Sequence, residues 1–318
     1  MPLLLTEADV RSLVAMPDLI AAMETALAAF SSGSVVQPVR TVLDLADRHA
    51  FFGVMPSYIP SIPGSLEAKL GAKLVTVYHS NLERGLPSHL ATILLFDPET
   101  GALQAIVDGR YITEARTAAV SAVSAKKLAR KDSRILAILG SGVQARSHLE
   151  ALNCVLKFDE IRVWSPTQQN CKNFATEMQA IAKPSATETV RDADVIALVT
   201  ASPTPVIHSE WVKPGAHIMA VGACRPTQRE MDPELVARSS LYVDSRAAAL
   251  KEAGDIVMAI NEGRISADHI VGEIGESVSR KTSDEITIFK SLGLAVEDVA
   301  AAHLAVTRAR QQAKGATV

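Results

Sequence analysis

Three basic residues stand in apolar stretches, where a charge is costly to bury without a partner. Arg40 follows Gln37-Pro38-Val39, Lys73 interrupts an otherwise apolar run, and Arg116 stands just before an alanine-rich segment. If these cations converge, they form a pocket for a substrate carboxylate, to which arginine can donate two parallel hydrogen bonds. The alternative is that each of them pairs with a surface carboxylate, and the pattern alone does not separate the two.

Two more residues are candidates for substrate chemistry. Arg225 follows an apolar strand that ends at Val221, and ligands of parallel sheets bind beyond the carboxyl ends of the strands. Arg225 is therefore a candidate substrate-binding residue, with a loop salt bridge as its alternative role. His89, in Pro87-Ser88-His89, is a candidate proton donor that acts directly or through water. A structural histidine is the alternative there.

A glycine-rich turn predicts a dinucleotide site. Gly140-Ser141-Gly142-Val143-Gln144-Ala145 has the pattern G-x-G-x-x-A and lies between an apolar strand and a helix. The first glycine permits the tight turn, the second lets the backbone approach a pyrophosphate, and the small third residue lets helix and strand pack closely. The free N–H groups of the helix N-terminus then face the phosphates.

The end of the next strand bears on which nicotinamide cofactor is used. Trp164-Ser165-Pro166-Thr167 carries no acidic residue to bind a ribose 2′-hydroxyl and to repel a 2′-phosphate. No arginine follows that could bind such a phosphate. We therefore expect NADP(H), with NAD(H) also accepted.

The first third of the chain has the pattern of two helices followed by strands. Thr6-Glu7-Ala8-Asp9 is typical of a capping box, and Pro17 suits the first turn of a second helix that continues to Phe30. Turn residues at 97–101 predict a hairpin between the last two strands. Apolar and β-branched runs predict strands at 39–45, 50–58, 68–78, 91–96 and 103–107.

From Thr113 onward, helices alternate with buried strands. Helices are predicted at 113–129, around Leu149, at 170–181 and at 295–311, where the pattern does not indicate what the last helix packs against. Apolar runs predict strands at 135–139, 161–164, 195–199, 217–221 and 241–243. Uninterrupted apolar strands between helices are typical of a parallel sheet covered on both faces, so we predict an α/β fold.

Composition excludes several classes of protein. With 318 residues, 48% hydrophobic and 21% charged, the chain is typical of a folded protein of two domains. A net charge of −3 favours neither nucleic acid nor an anionic membrane as a partner. The start lacks a signal-peptide pattern, and the three cysteines lack metal-ligand spacing. We expect a cytoplasmic protein with no metal, nucleic-acid or membrane partner.

Several longer blocks resemble one known family, the ornithine cyclodeaminase/mu-crystallin family, and its ketimine reductases more than its cyclodeaminases. The likeness runs nearly from end to end. The blocks that carry it are 30–33, 37–41, 53–56, 73–76, 87–89, 116–122, 140–144, 211–217 and 289–293.

The resemblance implies a Rossmann doubly wound parallel sheet inserted in a second, α+β domain. We expect a substrate-binding and dimerisation domain at 1–115 plus 295–318, and a Rossmann dinucleotide-binding domain at 116–294. It also implies a homodimer.

The resemblance assigns roles to individual residues. Arg40, Lys73 and Arg116 become the substrate carboxylate pocket and, with His89, the catalytic set. The residues assigned to cofactor binding are Ser88, His89, Arg116, Gly140, Ser141, Gly142, Val143, Gln144, Ser165, Pro166, Thr167, Asn170, Thr200, Ala201, Val221 and Ser291.

Two positions depart from the family pattern. Cys224 stands where cyclodeaminases of the family carry an aspartate for the ornithine amine, and a thiol cannot serve as that anionic partner. Pro166 stands where the ketimine reductases carry an arginine near the adenosine phosphate. The first departure argues against cyclodeamination, and the second weakens the expectation of strict NADPH use.

The expected activity is NAD(P)H-dependent reduction of cyclic imino acids. Δ1-piperideine-2-carboxylate and Δ1-pyrroline-2-carboxylate, taken as protonated iminium ions, would give L-pipecolate and L-proline, in lysine degradation and proline metabolism. The alternatives are an amino-acid dehydrogenase of the alanine type, an ornithine cyclodeaminase, and a non-catalytic protein that binds NADP and a small ligand resembling thyroid hormone.

Overall fold

A computed structural model describes residues 1–61 and 67–317. Contacts between residues divide the chain into two compact units. The first unit comprises Met1–Arg116 with Gly293–Val318, and the second comprises Thr117–Leu292.

The strands and helices alternate along most of the chain. The strands are β1 Leu3–Leu5, β2 Thr41–Leu45, β3 Ala50–Ile59, β4 Lys69–Tyr78, β5 His89–Phe96, β6 Leu103–Asp108, β7 Ile135–Leu139, β8 Glu160–Trp164, β9 Ile181–Ala182, β10 Val195–Leu198, β11 His217–Ala220, β12 Ser240–Val243, β13 Ile270–Glu273, β14 Thr287–Lys290 and β15 Ala316–Thr317. The helices are α1 Glu7–Leu13, α2 Met16–Ser31, α3 Arg110–Leu128, α4 Val143–Asn153, α5 Gln168–Met178, α6 Ala186–Val190, α7 Pro233–Ala237, α8 Arg246–Glu252, α9 Gly254–Asn261 and α10 Ala295–Gln312.

The first unit is built on a mixed seven-stranded sheet in the order β15-β1-β6-β5-β4-β3-β2. Strands β2 to β6 pair antiparallel with one another, whereas β1 pairs parallel with β6. The final helix, α10, packs against α2 and across β3, β4 and β5. This contact answers the question that the sequence pattern left open, and it brings α10 beside the inner strand β4.

The second unit contains an eight-stranded sheet in which all the described pairs are parallel, in the order β13-β12-β14-β11-β10-β7-β8-β9. Read from β9, its first five strands follow the order 3-2-1-4-5 of a dinucleotide-binding fold. Ile196 and Leu198 of β10 belong to one apolar core cluster, and Val195 and Ala197 belong to another. Both faces of the sheet are therefore covered, and the predicted α/β fold with a Rossmann sheet is confirmed.

Local signals explain several boundaries. Thr6 caps α1 and forms the capping box with Asp9, as its sequence predicts. Asp97 Oδ1 accepts the backbone N–H groups of Glu99 and Thr100 in the predicted hairpin turn between β5 and β6. The helix expected at 170–181 was too long, because Gln179 has a left-handed backbone (φ 54°) that ends α5 at Met178. Strands β1, β9, β13, β14 and β15 and helices α6 to α9 were not predicted.

Within the described ranges, no single helix is long and apolar enough to cross a membrane. One bent pair, Glu7–Leu13 with Met16–Ser31, meets the criterion by length and composition.

Candidate active site

Lys73 lies at the centre of the first unit, on β4 with β3 and β5 on either side. Its cross-strand partners are Met55 and Ile93, and only 1% of its surface is exposed. Both partners are apolar, so the ammonium group needs a charged partner from outside the sheet.

That partner comes from α10. Asp298 Oδ2 lies 2.6 Å from Lys73 Nζ, and Asp298 Oδ1 accepts a hydrogen bond of 2.9 Å from Arg116 Nε. Arg116 Nη1 donates a second bond, of 2.8 Å, to Glu297 Oε2. Lys73 and Arg116 therefore do converge, and they pair with buried acids, not with the surface carboxylates of the alternative reading.

Arg40 joins the same cluster through the backbone. Its Nη2 donates a hydrogen bond of 3.1 Å to the carbonyl oxygen of Gly293, just before α10. Gly293 has a φ of +83°, and a Cβ there would lie 2.3 Å from Arg116 Nη1, so only glycine fits this position. We call Arg40, Lys73, Arg116, Glu297 and Asp298 the charge cluster.

Burial and the charges within the cluster determine the protonation states of Lys73 and Asp298. Burial, together with the charges of Arg116 and Arg40, lowers the pKa of Lys73 to about 8 against the opposing effect of Asp298. Burial alone would raise the pKa of Asp298, but Arg116 and Lys73 outweigh it and hold that pKa below its usual value. At neutral pH, Lys73 is therefore an ammonium and Asp298 is a carboxylate.

His89 lies on the same face of the sheet as Lys73, because it pairs with Val77 across the β4–β5 ladder, four residues along. Burial, then the charges of Lys73 and Arg116, lower its pKa to about 4. The imidazole is therefore neutral at neutral pH. Ser88 precedes it at the start of β5, and its carbonyl accepts a hydrogen bond from the N–H of Tyr78.

In the second unit, the glycine turn follows β7 as predicted. Gly140 has a φ of +117°, and a Cβ there would lie 2.6 Å from the carbonyl oxygen of Val199. A Cβ on Gly142 would meet no atom within 4 Å, so the outer side of the turn is open. Among the described residues, no side chain caps the N-terminus of α4, and Ala145 is fully buried. These features fit the backbone of a pyrophosphate-binding turn.

The other cofactor candidates of this unit follow strands that are neighbours in the sheet. Because all these strands are parallel, their carboxyl ends lie at one edge, which we call the strand-end edge. Its candidates are Gly140 to Gln144 after β7, Ser165 to Thr167 after β8 with Asn170 on α5, Thr200 and Ala201 after β10, Val221 after β11, and Ser291 after β14.

Glu230, a buried acid that the sequence analysis does not single out, connects two of these strand ends. Glu230 accepts hydrogen bonds from the N–H and hydroxyl of Thr200 through Oε1, and from the N–H groups of Gly222 and Ala223 through Oε2. Burial raises the pKa of this carboxyl group. Glu230 therefore fixes the loops after β10 and β11 relative to each other.

A buried ion pair between Asp255 and Lys290 holds the backbone of Glu230 in place. Asp255 accepts the N–H of Glu230, and its other carboxylate oxygen lies 3.0 Å from Lys290 Nζ. Burial lowers the pKa of Lys290, but Asp255, Cys224 and Glu230 raise it above its usual value. The reasoning that singled out Lys73, a cation inside an apolar strand, would also have found Lys290.

Arg225 and Cys224 lie in the loop that follows β11 in the second unit. Arg225 is half-buried, and Cys224 is exposed, with its thiol donating to the carbonyl of Val221 at 3.3 Å. Cys154, Cys171 and Cys224 form no disulfide bond among the described residues.

One group of potential metal ligands occurs among the described residues. Ligand atoms of His208, Glu210 and Asp232 lie within 4.8 Å of one another. However, the two carboxylate oxygens of Asp232 accept the backbone N–H groups of Ser209 and Leu235. These backbone hydrogen bonds at the start of α7 explain the position of the Asp232 carboxylate without a metal ion.

Known proteins match this chain over nearly its whole length. The chain is 47% identical over 294 residues to the ketimine reductase mu-crystallin of Rattus norvegicus, and the match covers 90% of each protein. The structure of Thermococcus litoralis Δ1-pyrroline-2-carboxylate reductase with NADH and L-proline superposes with a TM-score of 0.94 at 37% identity, covering 99% of this chain and 100% of that one. An archaeal alanine dehydrogenase dimer with bound NAD gives 0.93 at 32% identity, covering 100% of this chain and 98% of that one.

A family model also matches residues 1–313, nearly the full length of the chain. The match includes the charge cluster of the first unit and the strand-end edge of the second unit. The chain belongs to the ornithine cyclodeaminase/mu-crystallin family.

Proposed function

We propose that this chain is an NAD(P)H-dependent ketimine reductase that reduces five- and six-membered cyclic imino acids to L-proline and L-pipecolate. The observation that carries the proposal is the charge cluster, in which buried acids of α10 hold Lys73 and Arg116 at a fixed spacing. A relative named as a ketimine reductase, at 47% identity, supports the same activity.

The cluster's part in the reaction is to bind and orient the substrate. Arg40, Lys73 and Arg116 carry three positive charges, and Glu297 and Asp298 carry two negative ones. These five side chains therefore have a net charge of +1 (three minus two), which favours an anion with one carboxylate. Binding that carboxylate orients the neighbouring imine carbon, and such positioning is a large part of catalysis.

The strand-end edge is proposed to hold the cofactor. The N–H groups of α4 and the open side of Gly142 accommodate a pyrophosphate, and Ser165 and Thr167 stand where the ribose is expected. When bound, NAD(P)H supplies the hydride, and the protein contributes orientation and electrostatics. The absence of an acidic residue at 165–167 is compatible with NADP(H), and NAD(H) is also accepted.

We propose Lys73 as the proton source for an imine that binds unprotonated, since an iminium ion needs only the hydride, and this changes the initial interpretation of His89. With a pKa of about 4, the His89 imidazole is neutral at neutral pH and carries no readily released proton. Lys73 Nζ, with a pKa of about 8, is protonated at that pH. His89 remains a predicted cofactor contact.

The open face of the first unit's sheet is proposed as a dimer interface. Side chains opposite the α10 face include the cross-strand row Leu43, Phe52, Thr76 and Leu90 of β2, β3, β4 and β5, which is apolar apart from Thr76. Leu43 is 59% exposed and Leu90 is 40% exposed. Monomeric proteins rarely leave such a face uncovered, and the archaeal alanine dehydrogenase is itself described as a dimer.

The activity is tested with one assay panel. We expect oxidation of NADPH, and more slowly of NADH, with Δ1-piperideine-2-carboxylate and Δ1-pyrroline-2-carboxylate in the absence of ammonia. Activity that requires pyruvate plus ammonia would instead identify an amino-acid dehydrogenase, and release of ammonia from ornithine a cyclodeaminase. Tight NADPH binding with no turnover of any imine would identify a binding protein.

A second prediction tests the dinucleotide turn. In Gly142→Ala the new methyl group meets no protein atom, so thermal unfolding should match that of the wild type. The methyl group should block approach of the pyrophosphate and weaken NADPH binding about tenfold or more, measured by fluorescence titration. Gly140→Ala is the contrasting variant, because its methyl group meets the Val199 carbonyl and should lower thermal stability. Unchanged NADPH affinity in Gly142→Ala would move the cofactor elsewhere.

A third prediction concerns Arg40, which is a cleaner test than Arg116 because removing Arg116 also leaves Glu297 and Asp298 without their partner. Arg40→Ala should lower kcat/KM for the cyclic imines by about 2 kcal/mol, or roughly thirtyfold. The control is Arg48→Ala, which removes an arginine with 69% side-chain exposure from the same unit. Equal kcat/KM in the two variants would exclude Arg40 from the site.

A fourth prediction addresses assembly. The wild type should be a dimer by light scattering coupled to size exclusion, and Leu43→Asp should shift it toward the monomer by placing a charge in the apolar face. Leu250→Asp changes a leucine with 41% exposure on α8 and should leave the mass unchanged. A monomeric wild type, or a dimeric Leu43→Asp protein, contradicts this interface.

A further inference from the structure

We propose that Asp298 is a positioning residue whose carboxylate keeps Lys73 in the ammonium form and holds it beside Arg116, so that the pair can bind a substrate carboxylate. This inference rests on the proposed function, because it explains how the same binding site keeps its charge.

Geometry is the first support. The two oxygens of Asp298 serve different cations: Oδ2 lies 2.6 Å from Lys73 Nζ, and Oδ1 accepts from Arg116 Nε at 2.9 Å. One carboxylate therefore fixes the spacing of two cations that come from a strand and from a helix distant in sequence. The side chain of Asp298 is fully buried, so water does not screen either interaction.

The charges that face Lys73 are the second support. Arg116 from α3 and Arg40 from the segment before β2 both repel an ammonium, and His89 on β5 is neutral at neutral pH. Glu297 and Asp298 are the acids that α10 brings to the cluster, and Asp298 is the one in direct contact with Lys73. Without its negative charge, burial and the two arginines would act on Lys73 unopposed by a contacting acid.

The neighbouring acid provides a matched control. Glu297 lies in the same turn of α10, is equally buried, and pairs with Arg116. A guanidinium stays protonated throughout the pH range of a protein, so removing Glu297 does not change the charge state of Arg116. We therefore expect removal of Asp298 to shift the pH dependence of carboxylate binding, and removal of Glu297 to leave it in place.

The direction of the pH effect follows from Lys73. Carboxylate binding requires the ammonium, so affinity is present below the pKa of Lys73 and is lost as the pH rises through it. In the wild type this pKa is about 8. Removing the charge of Asp298 lowers it, so affinity should be lost at a lower pH.

The experiment measures two pH profiles, from pH 5.5 to 9.5, for the wild type, Asp298→Asn and Glu297→Gln. One is kcat/KM for Δ1-piperideine-2-carboxylate with NADPH. The other is the calorimetric affinity for pyrrole-2-carboxylate in saturating NADP⁺, a planar carboxylate whose ring nitrogen does not titrate in this range. The second profile separates Lys73 from the titration of the imine substrate itself.

We expect Asp298→Asn to lower the midpoint of the basic limb by at least one pH unit in both profiles. A midpoint one unit lower leaves about a tenth of Lys73 charged at pH 8, where the wild type keeps about half. The difference from the wild type should shrink to a few-fold near pH 6. Glu297→Gln should keep the wild-type midpoint. An unchanged midpoint in Asp298→Asn, or an equal loss at every pH, overturns the proposal.

If Asp298→Asn does not fold, Lys73→Arg gives the same decision. A guanidinium pairs with Asp298 and does not titrate, so the basic limb of pyrrole-2-carboxylate affinity should disappear, and its persistence at the wild-type position overturns the proposal. A wild type that binds the carboxylate but reduces no imine refutes the proposed function alone, and the binding profiles still decide the role of Asp298. Failure to bind the carboxylate at any pH refutes both.

Discussion

The first unit depends on one buried interaction, in which Asp298 pairs at the same time with Lys73 and Arg116. Moving two cations and a carboxylate out of water is strongly unfavourable unless their geometry is good and their partners are fixed. Lys73 lies in an inner strand of a sheet and cannot reach solvent, so its partner has to come from the chain. That partner lies 225 residues later, on α10. The beginning and the end of the chain therefore have to fold as one unit, and α10 is a structural requirement of the candidate site.

The second unit solves a different problem, which is to hold several loops at one edge of a parallel sheet. Glu230 does this with four hydrogen bonds to the residues that follow β10 and β11. Its own backbone is held by Asp255, which pairs with Lys290 at the end of β14. A set of buried polar groups that bond or pair with one another specifies one arrangement where apolar packing would permit several. The loops proposed to contact the cofactor are thus positioned by Glu230, Asp255 and Lys290, which are buried and have no proposed contact with the cofactor.

Much of this architecture is readable from the sequence, and the exceptions have physical reasons. Apolar and β-branched runs located β3 and β4 to within one residue. The capping box marked Thr6, and the turn sequence at 97–101 marked the hairpin at Asp97. By contrast, α8 and α9 are short helices, and β14 ends in the charged Lys290, so it lacks the uninterrupted apolar run by which the equally short β10 was recognised. The cations were identified because a charge in an apolar strand is unusual. Their partners were not, because Glu297 and Asp298 are ordinary residues for the first turn of a helix, and nothing local reports a contact across the chain.

The position of these acids at the start of α10 has an energetic consequence. The N-terminus of a helix favours negative charge and leaves N–H groups that need acceptors. Acidic side chains in the first turn commonly supply such acceptors, but here Gln37 accepts the N–H of Val296 at 2.7 Å. Because a neutral amide from another segment takes this role, the oxygens of Asp298 remain directed at Lys73 and Arg116. The block 37–40 therefore contributes twice, since Gln37 binds the helix end and Arg40 binds the carbonyl of Gly293 just before it. A short stretch near residue 40 thus holds the start of α10 and leaves the oxygens of Asp298 directed at the cations of the site.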